Sequence, residues 1–570
     1  MKIDNAAIGI LVSHPDHVEY ALNNHPNAAL IARSQVLIDM FPDLEFVYFY
    51  GESPIDSSAE KSVVSFSDNW YRDENGFDRY FNCGFSIPQI LTGSIRIGVA
   101  SHLREYLAIS YCLNHFKQVL IYQNEDQILL RVANAFRLSI QFYNPLKCQS
   151  YWGEWLQERK LRDFLGTPLG QISNFNLKVL FAVRNFVFSR FFRGKVLVFS
   201  DWTNYKNPLL QNCIWTNHRN PFKSALVFTN NYSNEVALEL IPDGFSKEYE
   251  QFRCEELLLN FGSINAEKLT LIVREYIFDL IESNRDNLRN YISQLIYLFE
   301  TYCPRKIVIP AELFEPFTVA IQAARRYSTD CILMIDGHDA VGDSVPSLRD
   351  ASNSELLITK FVVSSSVQYD NAISRDFSES KLISQDSIFC FLNSDVDTDV
   401  ADICYDLIIL TWIPNHQNPN ARNDGPTKTL FDVLSLAAKL CKGRIGIKVK
   451  SEFLEMDYVM AIIDVLCISD RTDILTGKLS KHLMKSDLFI GGFSSAIAEC
   501  ALLDKRYLVY EPFSNGYGEM YTDRPCISET FKIARDIVEL DQMMQDGANS
   551  LTIDRDVYLK CGRHTQNHIV

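Results

Sequence analysis

Several features that would fix a function class are missing from this 570-residue chain. Its 14 cysteines are scattered singly, without a C-x-x-C pair, and no His and Cys residues cluster at zinc spacing. Free thiols in a reducing compartment are therefore expected. No stretch reaches 18 uncharged apolar residues, which excludes an obvious membrane-spanning helix. The nearest case, Val179–Phe199, carries Arg184, Arg190, Arg193 and Lys195. It reads as a helix followed by a strand at Lys195–Ser200. The alternative is a basic amphipathic patch in peripheral contact with the inner membrane surface. Met1–Asn5 lacks the basic-then-apolar order of a signal peptide, so the expected location is cytoplasmic, or the cytoplasmic face of the membrane. Positive charge is also short: 55 Lys and Arg against 71 Asp and Glu leave a net −16, which argues against general nucleic-acid binding.

What is present describes a packed globular protein. Apolar residues make up 47% and aromatics 12%, led by 37 Phe and 26 Tyr, too much to stay disordered. A chain this long exceeds one ordinary core and predicts two or three domains.

Residues 1–150 read as an N-terminal α/β region, with strands at Ala6–Val12, Glu45–Phe49, Gln118–Tyr122 and Leu138–Tyr143, and helices at His102–Asn114 and Asp126–Phe136. His14-Pro15-Asp16-His17 follows the first strand; with no third metal ligand apparent, these are expected to be loop residues. Residues 151–194 are helical and aromatic, a bridge. A second series spans 195–400, with strands at Lys195–Ser200, Ser224–Thr229, Lys306–Pro310 and Cys331–Ile335. Its helices are expected near Ala266–Ser283, Arg285–Thr301 and Phe314–Tyr327. Residues 401–570 form a third series, with strands at Leu407–Thr411 and Arg444–Val449 and helices at Thr427–Leu440, Tyr458–Leu466 and Leu479–Lys485. Strands alternating with helices at this spacing predict parallel sheets.

The most informative stretch is Ser486–Pro512, SDLFIGGFSSAIAECALLDKRYLVYEP. Leu488–Ile490 is strand-like, Gly491-Gly492 permits a tight turn without Cβ clashes, and Ser494 and Ser495 are N-cap candidates for a helix over Ala496–Leu503. Tyr507–Tyr510 is the next strand, completing a βαβ unit. Such a turn offers backbone N–H groups, the positive end of a helix dipole and two hydroxyls to an anion such as phosphate. It would serve equally as an empty turn capped by serine.

Other candidates lie at strand ends. Asp336 follows an apolar strand and precedes Gly337; it could accept a proton from an attacking hydroxyl, or merely cap the turn. His338 is the reserve base. Lys448 and Lys450 end a strand that can lie beside the glycine turn, Asn415 sits in the polar loop Trp412–Gly425, and Glu499 could bind a sugar or ribose hydroxyl. Asp395, Asp397 and Asp399 alternate as metal-binding acids can, but fall in a polar stretch that reads as a solvated linker.

The segments LIILTWIPNHQNPNARNDGPTKTLFDVL, IGIKVKSE and SDLFIGGFSSAIAECALLDKRYLVYEP together resemble the donor-binding lobe of GT-B glycosyltransferases that build bacterial surface polysaccharides. The order Ile335-Asp336-Gly337, Lys448-Val449-Lys450-Ser451, Ser494-Ser495 is similar to bacterial sialyltransferases and related CMP-sugar enzymes. In those an acidic-acidic-Gly motif supplies the base, a His-Pro motif contacts the cytidine nucleotide and a Ser-Ser pair holds the phosphate. The chain departs from this pattern twice: Ile335 stands at the first acidic position and Lys450-Ser451 at His-Pro. The resemblance, covering about residues 300–515, implies two Rossmann-like lobes facing a cleft, a nucleotide-sugar donor and a glycan or lipid-linked glycan acceptor. Asp336 would be the base, with no metal or other cofactor. A polyol-phosphate transferase, a nucleotide-sugar epimerase and a non-catalytic scaffold of the same architecture are the alternatives.

Overall fold

The computed structural model describes residues 7–13, 15–33, 37–38, 41–50, 58–122, 127–138, 140–141, 193–199, 214–216, 237, 239, 266–312, 317–335, 356–374, 377–386, 404–412, 425–450, 452–512 and 530–561. Within them the chain builds three parallel sheets. The first has strands β1 (Ile8–Val12), β2 (Ala29–Ala32) and β3 (Phe46–Tyr48). A two-strand hairpin of β4 (Phe81–Asn82) and β5 (Phe85–Ser86) follows, and then β6 (Gln118–Tyr122) and β7 (Ile140–Gln141) complete the first sheet in the order β3-β2-β1-β6-β7. The second contains β8 (Val196–Phe199), β9 (Ile214–Thr216), β10 (Lys306–Ile309), β11 (Asp330–Leu333), β12 (Lys360–Val363) and β13 (Leu382–Ser384), ordered β13-β12-β11-β10-β8-β9. The third contains β14 (Leu407–Leu410), β15 (Ile445–Lys448), β16 (Thr472–Leu475), β17 (Leu488–Gly491), β18 (Arg506–Tyr510) and β19 (Ile533–Ala534), ordered β16-β15-β14-β17-β18-β19. The fold class is α/β: two Rossmann-like lobes with an additional N-terminal α/β region.

The strand sequences explain why these sheets are parallel and covered on both faces. In β14, Leu407 and Ile409 enter one core and Ile408 the other, so the whole strand is apolar. The first and second sheets share one continuous core, in which Leu11, Ile31 and Val119 join Ile307, Leu333 and Phe361. Two helices fill the space between them, Thr92–His115 and Ala266–Tyr302. They approach closely at Gly98, where a Cβ would lie 1.9 Å from the Tyr276 ring, and the Tyr276 hydroxyl donates to the Ser94 carbonyl at 2.9 Å. A polar seam adds to this. Ser86 N–H donates to Gln322 Oε1 at 2.7 Å, and Thr318 Oγ1 donates to the Ile90 carbonyl at 3.1 Å. The N-terminal sheet is thus built onto the central one rather than standing free.

Three expectations are corrected. The two helices expected at Ala266–Ser283 and Arg285–Thr301 are one helix of 37 residues. At the Ser283-Asn284 step where the two were expected to part, Asn284 Nδ2 donates to the Leu280 carbonyl at 2.7 Å and Ser283 Oγ to the same carbonyl at 3.2 Å. His17 is not in a loop but in the helix Pro15–Asn24, buried, with Nδ1 accepting from Ser13 N–H and its ring 4.2 Å from that of Tyr122. Leu479–Lys485 forms two 3₁₀ turns around His482 instead of a helix. The strand expected at Ser224–Thr229, the metal-type acids Asp395, Asp397 and Asp399, and most of the bridge at 151–194 lie outside the described residues.

The chain returns to the central lobe after its third sheet. The helix Arg555–Leu559 buries Tyr558 and Leu559 in a cluster shared by Val308 and Val362 of the second sheet and Ile408 and Phe489 of the third. Ser366 N–H donates to the Lys560 carbonyl at 3.3 Å, and Cys561 N–H to Asp386 Oδ1 at 3.2 Å.

Candidate functional site

In the third sheet β14 lies between β15 and β17, so the connections leaving β14 and arriving at β17 run to opposite sides. A reversal of this kind opens a crevice at the carboxyl ends of the two strands, the position where open α/β sheets take ligands. The residues there are Thr411 and Trp412 after β14, and Gly492 to Ser495 after β17.

The glycine pair is required by close approach, since neither residue has a positive φ. A Cβ on Gly491 would sit 2.3 Å from the Tyr507 hydroxyl, and one on Gly492 would sit 2.9 Å from Trp412 Cδ1. Trp412 is fixed by its indole N–H, which donates to the Tyr510 carbonyl at 2.8 Å. Tyr507 donates to the Gly492 carbonyl at 2.8 Å, and its hydroxyl lies 3.4 Å from Ser494 Oγ. Burial pushes the Tyr507 phenol up, so it stays protonated as a donor. Glu511, buried at the end of β18, accepts from Phe493 N–H at 2.8 Å and pins the loop from the other side.

The helix Ala496–Leu502 follows, with Ser495 as its N-cap residue. Ser495 takes the cap position but makes no capping hydrogen bond with its side chain. Ser494 and Ser495 are both half-buried.

Thr411 couples β14 to β15. Its N–H and Oγ1 both donate to the Lys448 carbonyl, at 3.2 and 3.4 Å, and its Oγ1 accepts from Lys450 N–H at 3.2 Å. Ile445 and Ile447 face one core, so alternation turns Lys448 to the opposite face, where Ala496, Ile497 and Cys500 pack. Lys448 is buried, and its ammonium donates to the Val449 carbonyl. Lys450 is exposed.

Glu499, on the same face, is half-buried, and burial pushes its carboxyl up to about 7 despite the opposing pull of the Lys448 ammonium. It is therefore divided between its acid and its carboxylate near neutrality, able to donate or accept. His482 is buried as well, with Nε2 2.8 Å from the Thr476 carbonyl. Burial, and then Lys485, Lys448 and Lys481, hold its imidazole below the usual range against the favourable pull of that carbonyl.

The structure places Gly491 at the end of β17, Gly492, Ser494 and Ser495 in the turn after it and Glu499 on the helix that follows, within electrostatic reach of Lys448 on β15; Lys450 is exposed just beyond β15. Asp336, His338 and Asn415 lie outside the described residues, as does Ser451; Ile335 is the last described residue of its segment. Sequence reasoning missed Thr411, Trp412, His482 and Glu511. Their only signal is position, each at or just beyond a strand or turn on one edge of one sheet. Among the described residues, no group of three or more His, Cys, Asp or Glu is placed to hold a metal ion. Among them, too, no helix is long and apolar enough to cross a membrane.

No protein-family model matches the chain, and comparison with curated proteins finds no match. Among solved structures it is similar to several sugar-nucleotide epimerases and glycosyltransferases, as their names have it. A UDP-N-acetylglucosamine 2-epimerase from Rickettsia bellii shares 10% identity over 64% of this chain and 91% of its own, with a TM-score of 0.36. A glycosyltransferase from Rickettsia africae shares 12% over 45% and 70%, with a TM-score of 0.30. MurG from Acinetobacter baumannii shares 11% over 48% and 75%, also at 0.30. Likeness at this level carries no inference about reaction or ligand.

Proposed function

We propose that this protein is a nucleotide-sugar-dependent glycosyltransferase acting on a glycan or lipid-linked glycan in surface polysaccharide or lipopolysaccharide synthesis. The observation that supports it best is the Gly492–Ser495 turn at the strand-order reversal, with Lys448 on β15 and Glu499 on the helix that follows the turn. A cation and two hydroxyls suit a nucleotide phosphate, and a carboxyl beside them suits a sugar or ribose hydroxyl. A CMP-activated sugar of sialic acid or Kdo type is the first candidate donor, on the sequence resemblance, and a UDP-sugar the next.

In this reading the acceptor hydroxyl attacks the anomeric carbon and gives its proton to Asp336. The bond from that carbon to the phosphate oxygen breaks, and its electron pair leaves with the nucleotide. Lys448, Ser494 and Ser495, with Lys450 at the rim, stabilise the charge that grows on the phosphate. One well-placed donor of this kind is worth about 2.7–4 kcal/mol at the transition state. No metal is needed for these steps.

Thermal shifts with CMP, CDP, UDP and GDP test the donor class. A ligand at about 100 times its Kd adds about 2.7 kcal/mol of stability. Product analysis with labelled donor then tests the reaction. Transfer that vanishes in Asp336→Ala while nucleotide binding persists supports the assignment. An isomerised sugar released without use of acceptor would make the protein an epimerase, and nucleotide binding without turnover would make it a scaffold.

A further inference from the structure

We propose that His482 reads the nucleobase of the donor, accepting a hydrogen bond from a base N–H at its Nδ1. The inference rests on the donor-site reading above and extends it to a side chain that reading does not use.

The argument begins with the ring's two nitrogens. Nε2 lies 2.8 Å from the Thr476 carbonyl, which can only accept, so Nε2 carries the proton. In the neutral imidazole Nδ1 is then a bare acceptor. That atom is buried, and it has no hydrogen-bond partner among the described residues. Other buried polar atoms also lack a partner among the described residues, His102 Nε2 for one, but Nδ1 of His482 is the histidine nitrogen of this kind within electrostatic reach of Lys448. The ring is 8% exposed and is clasped between two 3₁₀ turns, so it is a fixed group rather than a surface side chain. The lysines around it, Lys448 among them, oppose protonation and so preserve the acceptor.

Position supplies the second half. Thr476 directly follows β16, and Gly477 turns the chain with a φ of +80°. From β17, where Ser494 and Ser495 stand, the order runs through β14 and β15 to β16. Three strand spacings make about 14 Å. One nucleotide laid along the carboxyl edge covers that span, with its phosphate at the serines and its base at the turn after β16. A base presenting an N–H at its pairing edge, such as N3–H of uracil or the N4 amine of cytosine, complements a bare ring nitrogen there.

The test is calorimetric titration of the full chain with CMP, UMP and inorganic pyrophosphate. His482→Ala is expected to weaken the preferred nucleotide about tenfold, while pyrophosphate binds as before. On the wild type, N3-methyl-UMP or N4,N4-dimethyl-CMP should show the same loss, and neither analogue should be weakened further by the substitution. If the alanine variant melts early, His482→Asn, whose amide oxygen can replace the ring acceptor, carries the comparison and should retain more affinity than His482→Leu. Unchanged nucleotide affinity, or an equal loss for pyrophosphate, would overturn the role of His482 alone. A wild-type protein that binds pyrophosphate but neither nucleotide would also overturn it, with the anion site intact. Binding of none of the three would overturn the donor-site reading together with it.

Discussion

The first and third sheets both bury carboxylates near positive charge, yet they treat them in opposite ways. In the first, Glu105 is fully buried and its Oε1 meets Arg33 at 3.2 Å, Arg104 at 3.5 Å and the Tyr50 hydroxyl at 3.1 Å. In the third, burial raises the Glu499 carboxyl to about 7, and the Lys448 ammonium opposes that shift without abolishing it. A carboxylate ringed by guanidinium groups supports a fold; a carboxyl whose burial leaves it able to donate or accept near neutrality is a resource for a ligand.

The sharpest way to break this contrast is to remove one partner from each cluster. Glu105→Ala leaves buried guanidinium groups uncompensated and is expected to cost about 3–5 kcal/mol in urea denaturation. Lys448→Ala should leave the fold largely intact and lower kcat for sugar transfer by about 10²–10³-fold, measured with saturating donor. A large loss of stability in the second variant with no loss of rate would erase the distinction.

The pH dependence sharpens it further. The Glu499 carboxyl is raised from 4.5 to about 7 in the folded chain, so the native state holds a proton that the unfolded state has already released. Its contribution to stability is complete below pH 4.5 and is lost as pH rises through about 7. Glu499→Gln removes that slope. Melting curves at pH 5 and pH 8 should show the wild type losing on the order of a few °C relative to the variant.

The smallest expected effect compares two helix caps in the same lobe. Asp536 accepts from the N–H groups of Val538 and Glu539 at 2.9 and 2.8 Å, so Asp536→Ala should cost about 1 kcal/mol. Ser495 makes no such bond, so Ser495→Ala should change stability by less than about 0.5 kcal/mol while weakening nucleotide binding. Equal stability losses would make the Ser495 hydroxyl an ordinary cap.

The βαβ unit around Gly491 was legible because an apolar run, a glycine turn and helix-forming residues occur in uninterrupted order. Its observed elements, Leu488–Gly491, Ala496–Leu502 and Arg506–Tyr510, differ from the expected ones only at their ends. Strands such as Ala29–Ala32, Leu382–Ser384 and Thr472–Leu475 passed unnoticed: three or four residues are too few to show a period. The long helix was misread as two at the Ser283-Asn284 step, where both side chains bond to the Leu280 carbonyl. Burial of His482 was hidden by its neighbours Lys481 and Lys485, which suggest a solvated turn. The state of Glu499 depends first on its burial and then on the charge of Lys448, 51 residues away in sequence, neither of which a local pattern encodes.

The short helix at Arg555–Leu559 has a consequence for how the protein is made. Its Tyr558 and Leu559 plug a seam bordered by strands synthesised some 200 residues earlier, and the Ser366 and Asp386 contacts are completed only by Lys560 and Cys561. A nascent chain leaving the ribosome therefore carries an unsealed central lobe until this stitch emerges. Assembly of the middle of the molecule waits on a piece of its distal portion, so chains halted before residue 555 should be caught by chaperones or proteases rather than accumulate as a folded intermediate.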